Sequence, residues 1–311
     1  MITRRTLLKT LAFSGVASFT LGSYAVAEAL RFGVTRYAVS PPGWPEGLSL
    51  RLAILTDLHV CEPWLGIDRL RHIVAETNAL RPDAVLLLGD YVPGAQLLWF
   101  GQRRENAEWA AVLAGLKAPL GVHAVLGNHD WWEDIEVQRR RSGPVPAGVA
   151  LVKAGIPVYE NDAVRLEKEG HPFWIAGLGD QWAFWPRQKP DGLAFRGDAY
   201  EGVDDLAGTL ARITDDAPVI LMIHEPDIFP EVPARVALTV AGHTHGGQVR
   251  VLGYAPVVPS RYGQRYLVGH IVEEDRNLIV SAGLGCSKLP IRLGAPPEIV
   301  LVTVETGHTY A

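Results

Sequence analysis

The chain has 311 residues, 48% of them apolar and 20% charged, which is the make-up of a globular protein and excludes disorder over most of its length. Its 29 Lys and Arg against 34 Asp and Glu leave a net charge of −5, which excludes a nucleic-acid binder that works through a broad basic face. Two cysteines, Cys61 and Cys286, exclude a disulfide framework and form no Cys-x-x-Cys pattern; whether they pair is open. The length allows two domains, or one large α/β domain with a short extension.

Met1–Lys9 reads MITRRTLLK, with Arg4 and Arg5 adjacent. A weakly apolar stretch follows from Thr10 and closes on Ala25-Val26-Ala27, a small-x-small shape that suits signal peptidase. Basic, then apolar, then small is the order of an export signal, and the paired arginines resemble the twin-arginine type, whose partner is the Tat export machinery. Retention of residues 1–27 as a membrane anchor is the alternative. Either way the remainder is expected outside the cytoplasm, in the periplasm or on the outer face of the cytoplasmic membrane. No later apolar run is long enough to span a bilayer. Residues 28–47, with Pro41, Pro42, Gly43 and Pro45, read as a linker or a first edge segment.

From about residue 48 to 306 short apolar runs alternate with helical patterns, and 307–311 is a tail. Strands are predicted at 50–55, 84–88, 122–126, 173–176, 219–223, 236–240, 278–280 and 299–304. Helical faces are predicted through Ile67, Leu70, Ile73, Val74 and Leu80, through Trp109, Val112, Leu113 and Leu116, and through Val203, Leu206, Leu210 and Ile213. Strands alternating with helices predict parallel βαβ units and a layered α/β fold.

Polar residues collect where these strands end. The first leads to Asp57-Leu58-His59, the second to Gly89-Asp90, and the third to Gly127-Asn128-His129-Asp130. The runs ending at Ile223 and Val240 lead to His224 and to Gly242-His243-Thr244-His245-Gly246-Gly247. Ligand sites of α/β sheets lie outside the carboxyl ends of strands. Each piece alone has a plain reading: Asp57 and His59 as surface or capping residues, Gly89-Asp90 as a turn, the loop histidines as satisfied structural pairs. All of them at strand exits, in this order, point to one site. Carboxylates, imidazoles and one amide oxygen suit Mn, Fe, Zn or Co. They are too many for one ion, and two ions that share one carboxylate use them all. Such a pair clamps a phosphoryl group and activates a bridging water. His72, His123, His171, His270 and His308 lack this context and read as structural or solvent-exposed.

These five blocks resemble the signature of the calcineurin-like metallophosphoesterases. Gly89-Asp90-Tyr91-Val92, His243-Thr244-His245-Gly246-Gly247-Gln248, and the tail from Gly283-Leu284-Gly285 through Leu289-Pro290-Ile291-Arg292 to Pro297-Glu298 resemble its exported branch of YkuE-like and YaeI-like enzymes. The resemblance implies a four-layer sandwich of two mixed β-sheets flanked by helices. It implies that Asp57, His59, Asp90 and His245 hold one divalent ion, and that Asp90, Asn128, His224 and His243 hold another. It implies His129 as proton donor to the leaving oxygen, with Asp130 as its orienting partner. Two departures stand out. Tyr91-Val92-Pro93-Gly94 follows Gly-Asp where protein phosphatases often carry an arginine, and Ala282 precedes Gly-Leu-Gly where relatives often carry another.

Leu97-Leu98-Trp99-Phe100 precedes Arg103 and Arg104, and Trp182, Phe184 and Trp185 precede Arg187 and Lys189. Aromatics beside cations suit a membrane interface. Trp131 and Trp132 are expected as pocket wall. Two function classes follow. One is a phosphodiesterase or pyrophosphatase acting on a lipid-linked substrate, such as a phospholipid head group or a UDP-diacylglucosamine-type glycolipid. The other is a catalytically silent, membrane-tethered metal-binding protein, against which the complete ligand set counts. Neither class needs nucleic acid, and the oligomeric state is open.

Overall fold

A strand covered on both faces must divide its side chains between two layers. In β2 (Leu50–Leu55), Leu50, Leu52 and Ile54 enter one apolar core while Ala53 and Leu55 enter another. In β9 (Val219–Met222), Ile220 and Met222 join the core of Leu52, and Val219 and Leu221 face a third. The computed structural model, which describes residues 20–187 and 199–307, therefore has two sheets packed face to face with helices outside both.

The first sheet is ordered β1 (Gly33–Val39), β13 (Glu298–Val304), β2, β4 (Ala84–Leu88), β6 (Val122–Val125). β2, β4 and β6 run parallel, β1 runs parallel to β13, and β13 is antiparallel to β2. The second sheet is ordered β11 (Gly269–Glu273), β12 (Arg276–Val280), β10 (Val236–Ala241), β9, β8 (His171–Gly177), β7 (Asp162–Lys168). Its four middle strands are parallel and its two edges antiparallel. A small ribbon pairs β3 (Cys61–Glu62) with β5 (Gln102–Arg103).

Residues 20–29 are helical and are called α1. Against the outer face of the first sheet lie α2 (Ile67–Ala79), α3 (Asn106–Leu113) and α6 (Pro146–Lys153), which contribute Leu70, Ile73, Trp109, Leu113 and Leu151. The short α4 (Asn128–Trp132) and α5 (Ile135–Arg140) follow β6, and α7 (Leu206–Ala211) covers the second sheet through Leu206 and Leu210. The predicted two mixed sheets flanked by helices are all present.

Of the two readings of 28–47, the structure shows the first edge segment rather than a free linker: Gly33–Val39 is the edge strand and pairs with β13 from Gly33↔Glu298 to Val39↔Val304. Trp44 is buried and donates its indole N–H to the Leu48 carbonyl at 2.7 Å. The sheet thus takes in residues ahead of 48. Strands β7 and β11 and helices α5 and α6 were outside the predicted elements. Cys61 and Cys286 are both free and buried, in the same apolar cluster. Arg4, Arg5, Lys189 and His308 lie outside the described residues.

Candidate metal centre

The strands end and the backbone turns sharply at the residues singled out. Asp57, His59, Asp90, His243 and His245 all hold positive φ, between 42° and 68°. Non-glycine residues occupy that region at a cost and persist there when their surroundings over-determine them, commonly at functional sites. Glycines give the loops room to converge. A Cβ on Gly127 would stand 2.5 Å from Asp90 Oδ1 and 2.7 Å from the His224 ring, and one on Gly242 would stand 2.6 Å from Asp57 Oδ2.

Asp57, His59, Asp90 and His245 are buried and bring one ligand atom each into a single cluster. His59 Nε2 lies 3.4 Å from Asp90 Oδ2, and His245 Nε2 lies 3.3 Å from Asp57 Oδ1. The carboxylate of Asp57 is held by the His243 N–H, at 3.1 and 3.0 Å, and by the Thr56 hydroxyl at 2.8 Å. Tautomers follow from the partners. His59 Nδ1 donates to the Val92 carbonyl at 2.9 Å, so its Nε2 carries the lone pair. His245 Nδ1 faces the Arg292 guanidinium at 3.1 Å, which can only donate, so the His245 proton sits on Nε2. That proton points at His59 Nε2, 3.1 Å away. Asp57, His59, Asp90 and His245 would hold an ion here in place of this one proton. Burial lowers His59 to about 3 and pushes Asp57 up to about 6.

A second group gathers beside it. His224 Nδ1 donates to the Leu88 carbonyl at 2.6 Å and turns Nε2 toward Asp90 Oδ2, at 3.4 Å. The Asp90 oxygen therefore stands at the same distance from an imidazole of each group. Asn128 Oδ1 lies 2.9 Å from His243 Nδ1. His224, His243 and Glu225 form the second close set of potential ligands. Burial works to raise the Asp90 carboxyl, but the facing His224 and His129 rings outweigh it and hold it well below the ordinary range. Buried side-chain atoms without a partner include His224 Nε2, His243 Nε2 and Glu225 Oε1. Unpaired buried nitrogens are costly, and His224 Nε2 stands against the Asp90 oxygen where a cation would satisfy both. The donor set fits two divalent ions.

Glu225 was not among the residues expected from sequence, although it stands in the His224-Glu225-Pro226 turn. Its Oε2 accepts the Gln181 N–H at 3.1 Å, and burial raises it to about 7. Asp180, also missed, follows the β8 exit as the expected ligands follow theirs, and its Oδ1 accepts the Trp182 N–H at 2.9 Å.

His129 opens toward the cleft from α4. The expected orienting partner, Asp130, is corrected. Its carboxylate accepts the backbone N–H groups of Asp90, Tyr91, Val92 and Gly127, so it clamps the two loops together. His129 Nδ1 pairs instead with Glu133, at 3.2 Å, one helical turn on. Burial opposes protonation of His129, yet Asp90 and Glu133 raise it above the ordinary histidine value.

The aromatic expectations divide. Trp99 and Phe100 are exposed, Trp99 by 78%. Trp182 and Phe184 are buried, which corrects their placement on a membrane-facing rim; of the three aromatics there, Trp185 alone is well exposed. Trp182 packs its ring edge-on to His243, at 4.6 Å between centroids. The Trp132 ring lies with its centroid 5.3 Å from that of His129, whereas Trp131 belongs to the core against Phe184. Among the described residues, no helix is long and apolar enough to cross a membrane.

The family model for calcineurin-like phosphoesterases matches residues 50–247. The chain is 26% identical to the metallophosphoesterase YkuE of Bacillus subtilis, over 98% of each. It is 27% identical to the phosphodiesterase YaeI of Escherichia coli, over 89% of this chain and 94% of that one. A crystal structure of a dimetal phosphatase from Danio rerio, 14% identical, superposes with a TM-score of 0.42 over 76% of this chain and 88% of that one. The chain belongs to the calcineurin-like phosphoesterase family and is a metal-dependent phosphoester hydrolase whose cofactors are two divalent ions.

Proposed function

We propose that this member of the family hydrolyses a phosphoester carried on a lipid, at the outer face of a membrane. In this reading Asp57, His59, Asp90 and His245 hold one ion, and Asp90, Asn128, His224 and His243 hold the other. The observation that carries the assignment is the Asp90 oxygen, set 3.4 Å from His59 Nε2 and 3.4 Å from His224 Nε2. When bound, the pair of ions supplies an activated water and neutralises charge on the phosphoryl group.

The chain's own residues do the rest. Asp130 fixes the loops of Asp90 and Asn128 to each other through its four N–H bonds. His129 holds a proton on the cleft side, with Glu133 on its Nδ1, and gives it to the departing oxygen. Trp182 and Trp132 wall the cleft and keep water from the His243 and His129 rings.

A lipid-linked substrate is supported by Trp99 and Phe100, exposed beside the cationic Arg103 and Arg104, which is the composition of a membrane interface. Hydrolysis of a phospholipid diester in anionic vesicles is compared with that of a small soluble diester. Replacing Trp99 and Phe100 together by serine is expected to depress only the vesicle reaction. An equal fall with both substrates, or with neither, removes the lipid from the reading and leaves the hydrolase.

A further inference from the structure

The sequence places residues 20–27 at the end of an export signal, either cut after Ala27 or kept as a membrane anchor. In the fold, α1 is fastened to the segment between β12 and β13, whose Arg292 side chain reaches the metal ligand His245. Ala25 and Ala29 are buried on its inner face. The Ala25 carbonyl accepts the Arg292 backbone N–H at 2.9 Å, and Glu28 Oε1 accepts that of Ala295 at 3.0 Å. Near its last turn the Arg69 guanidinium donates to the Ala29 carbonyl at 2.9 Å and to the Trp64 carbonyl at 2.7 Å. A cation there complements the negative end of the helix dipole. Ala29 packs with Cys61, Leu97 and Cys286, and it shares the wall of a small cavity with His59.

Arg292 carries this attachment to the metal centre. It is fully buried and donates through Nη2 to His245 Nδ1, at 3.1 Å, and through Nη1 to the carbonyls of His245 and Ala282, at 3.2 and 2.7 Å. The side chain that sets the His245 tautomer thus has its backbone N–H tied to α1.

We propose that residues 20–30 remain in the working enzyme as a brace for the ion site of His245, and that the signal is not cut after Ala27. The uncut N-terminus then tethers the enzyme to a bilayer, with Leu21, Tyr24 and Leu30 exposed on the outer side of the helix. A cut after Ala27 would strip the buried Arg292 N–H of its acceptor. It would also break the turn in which Leu30 donates to the Val26 carbonyl, at 3.2 Å. The tether, though not the brace, rests on the reading of residues 1–27 as an export signal.

The full chain is expressed in a bacterium with a working export pathway, and its intact mass is read from the envelope fraction. Every chain is expected to retain residues 20–30 and to need detergent for release. A chain that begins at Glu28 and still holds two ions overturns the proposal. A full-length chain found only in the cytosol overturns the tether and the export reading together, and the brace is judged by binding. For that, Glu28→Ala and Ala25→Trp are made in the full chain and titrated with Mn2+. One ion is expected to bind about 10–100-fold more weakly, as when a ligand's supporting group is lost, while the other binds as before. Glu28→Gln, which keeps an acceptor oxygen for Ala295, is expected to bind both normally. If Ala25→Trp does not fold, Glu28→Ala decides. Wild-type affinity for both ions in Glu28→Ala defeats the brace.

Discussion

The two ends of the central strands are built on opposite terms. At the amino ends, polar groups answer one another. Asp83, just before β4, accepts the Arg51 N–H and the Lys168 ammonium, both at 2.7 Å. Asp215, ahead of β9, accepts from Arg165 and from the Trp174 indole, both at 2.7 Å. At the carboxyl ends, the backbone is held in left-handed conformations, and buried nitrogens and oxygens point at one another without partners. The same parallel strands thus end in a closed set of ordinary pairs on one side and in an open set on the other. Unpaired buried polar groups are costly, and where they gather beside carboxylates a cation completes them. The difference marks the function before any ligand is seen.

Substitutions at the two ends should separate accordingly. The largest effect is expected from Asp90→Asn, which weakens both groups of ligands at once. Hydrolysis of a soluble diester should fall to background, and metal analysis should find less bound ion at both sites. Next comes His129→Ala, expected to keep both ions and slow turnover by about 10²–10⁴-fold, the ordinary worth of a general acid. The loss should shrink for a nitrophenyl ester, whose leaving oxygen needs no proton; equal losses with good and poor leaving groups would remove His129 from that role. Glu133→Gln should lie on the same path with a smaller fall, whereas activity held at the wild-type level would separate Glu133 from the proton transfer.

Smaller again is Gly127→Ala. The added methyl must push Asp90 or His224 aside, and ion affinity should drop by about 10–100-fold while the fold persists. Undisturbed ion binding in this variant would mean that the loops carry more slack than their close approach implies. The smallest effect belongs to the other end. Lys168→Ala breaks a partly exposed pair with Asp83 and should cost about 1 kcal/mol or less in stability, read from denaturant unfolding, with both ions retained. An ion lost from Lys168→Ala would contradict the division between the ends.

Much of this was legible in the sequence for a physical reason. Buried parallel strands are short β-branched runs, so their exits can be located, and the ligand types are distinctive at those exits. The seven expected ligands converge for that reason. Elements of mixed composition left no such trace: β1 and β7 carry polar and charged residues along an edge, where only one face is covered. Support residues were also hard to see, since their role depends on what folding brings near. Arg292 stands 47 positions from His245, and Glu133 displaces Asp130 as the partner of His129 only because α4 turns it to that side. Trp182 and Phe184 look in sequence like Trp99 and Phe100, and burial alone separates them.

In the proposed centre one carboxylate, Asp90, joins two ion sites. The most direct measurement is a Mn2+ titration of the metal-free full chain, followed by electron paramagnetic resonance at each addition. Two equivalents should bind, and the second should produce the signal of a spin-coupled pair, which Asp90→Asn should not show. A single equivalent, or two ions that remain magnetically independent in the wild-type chain, would contradict the shared carboxylate.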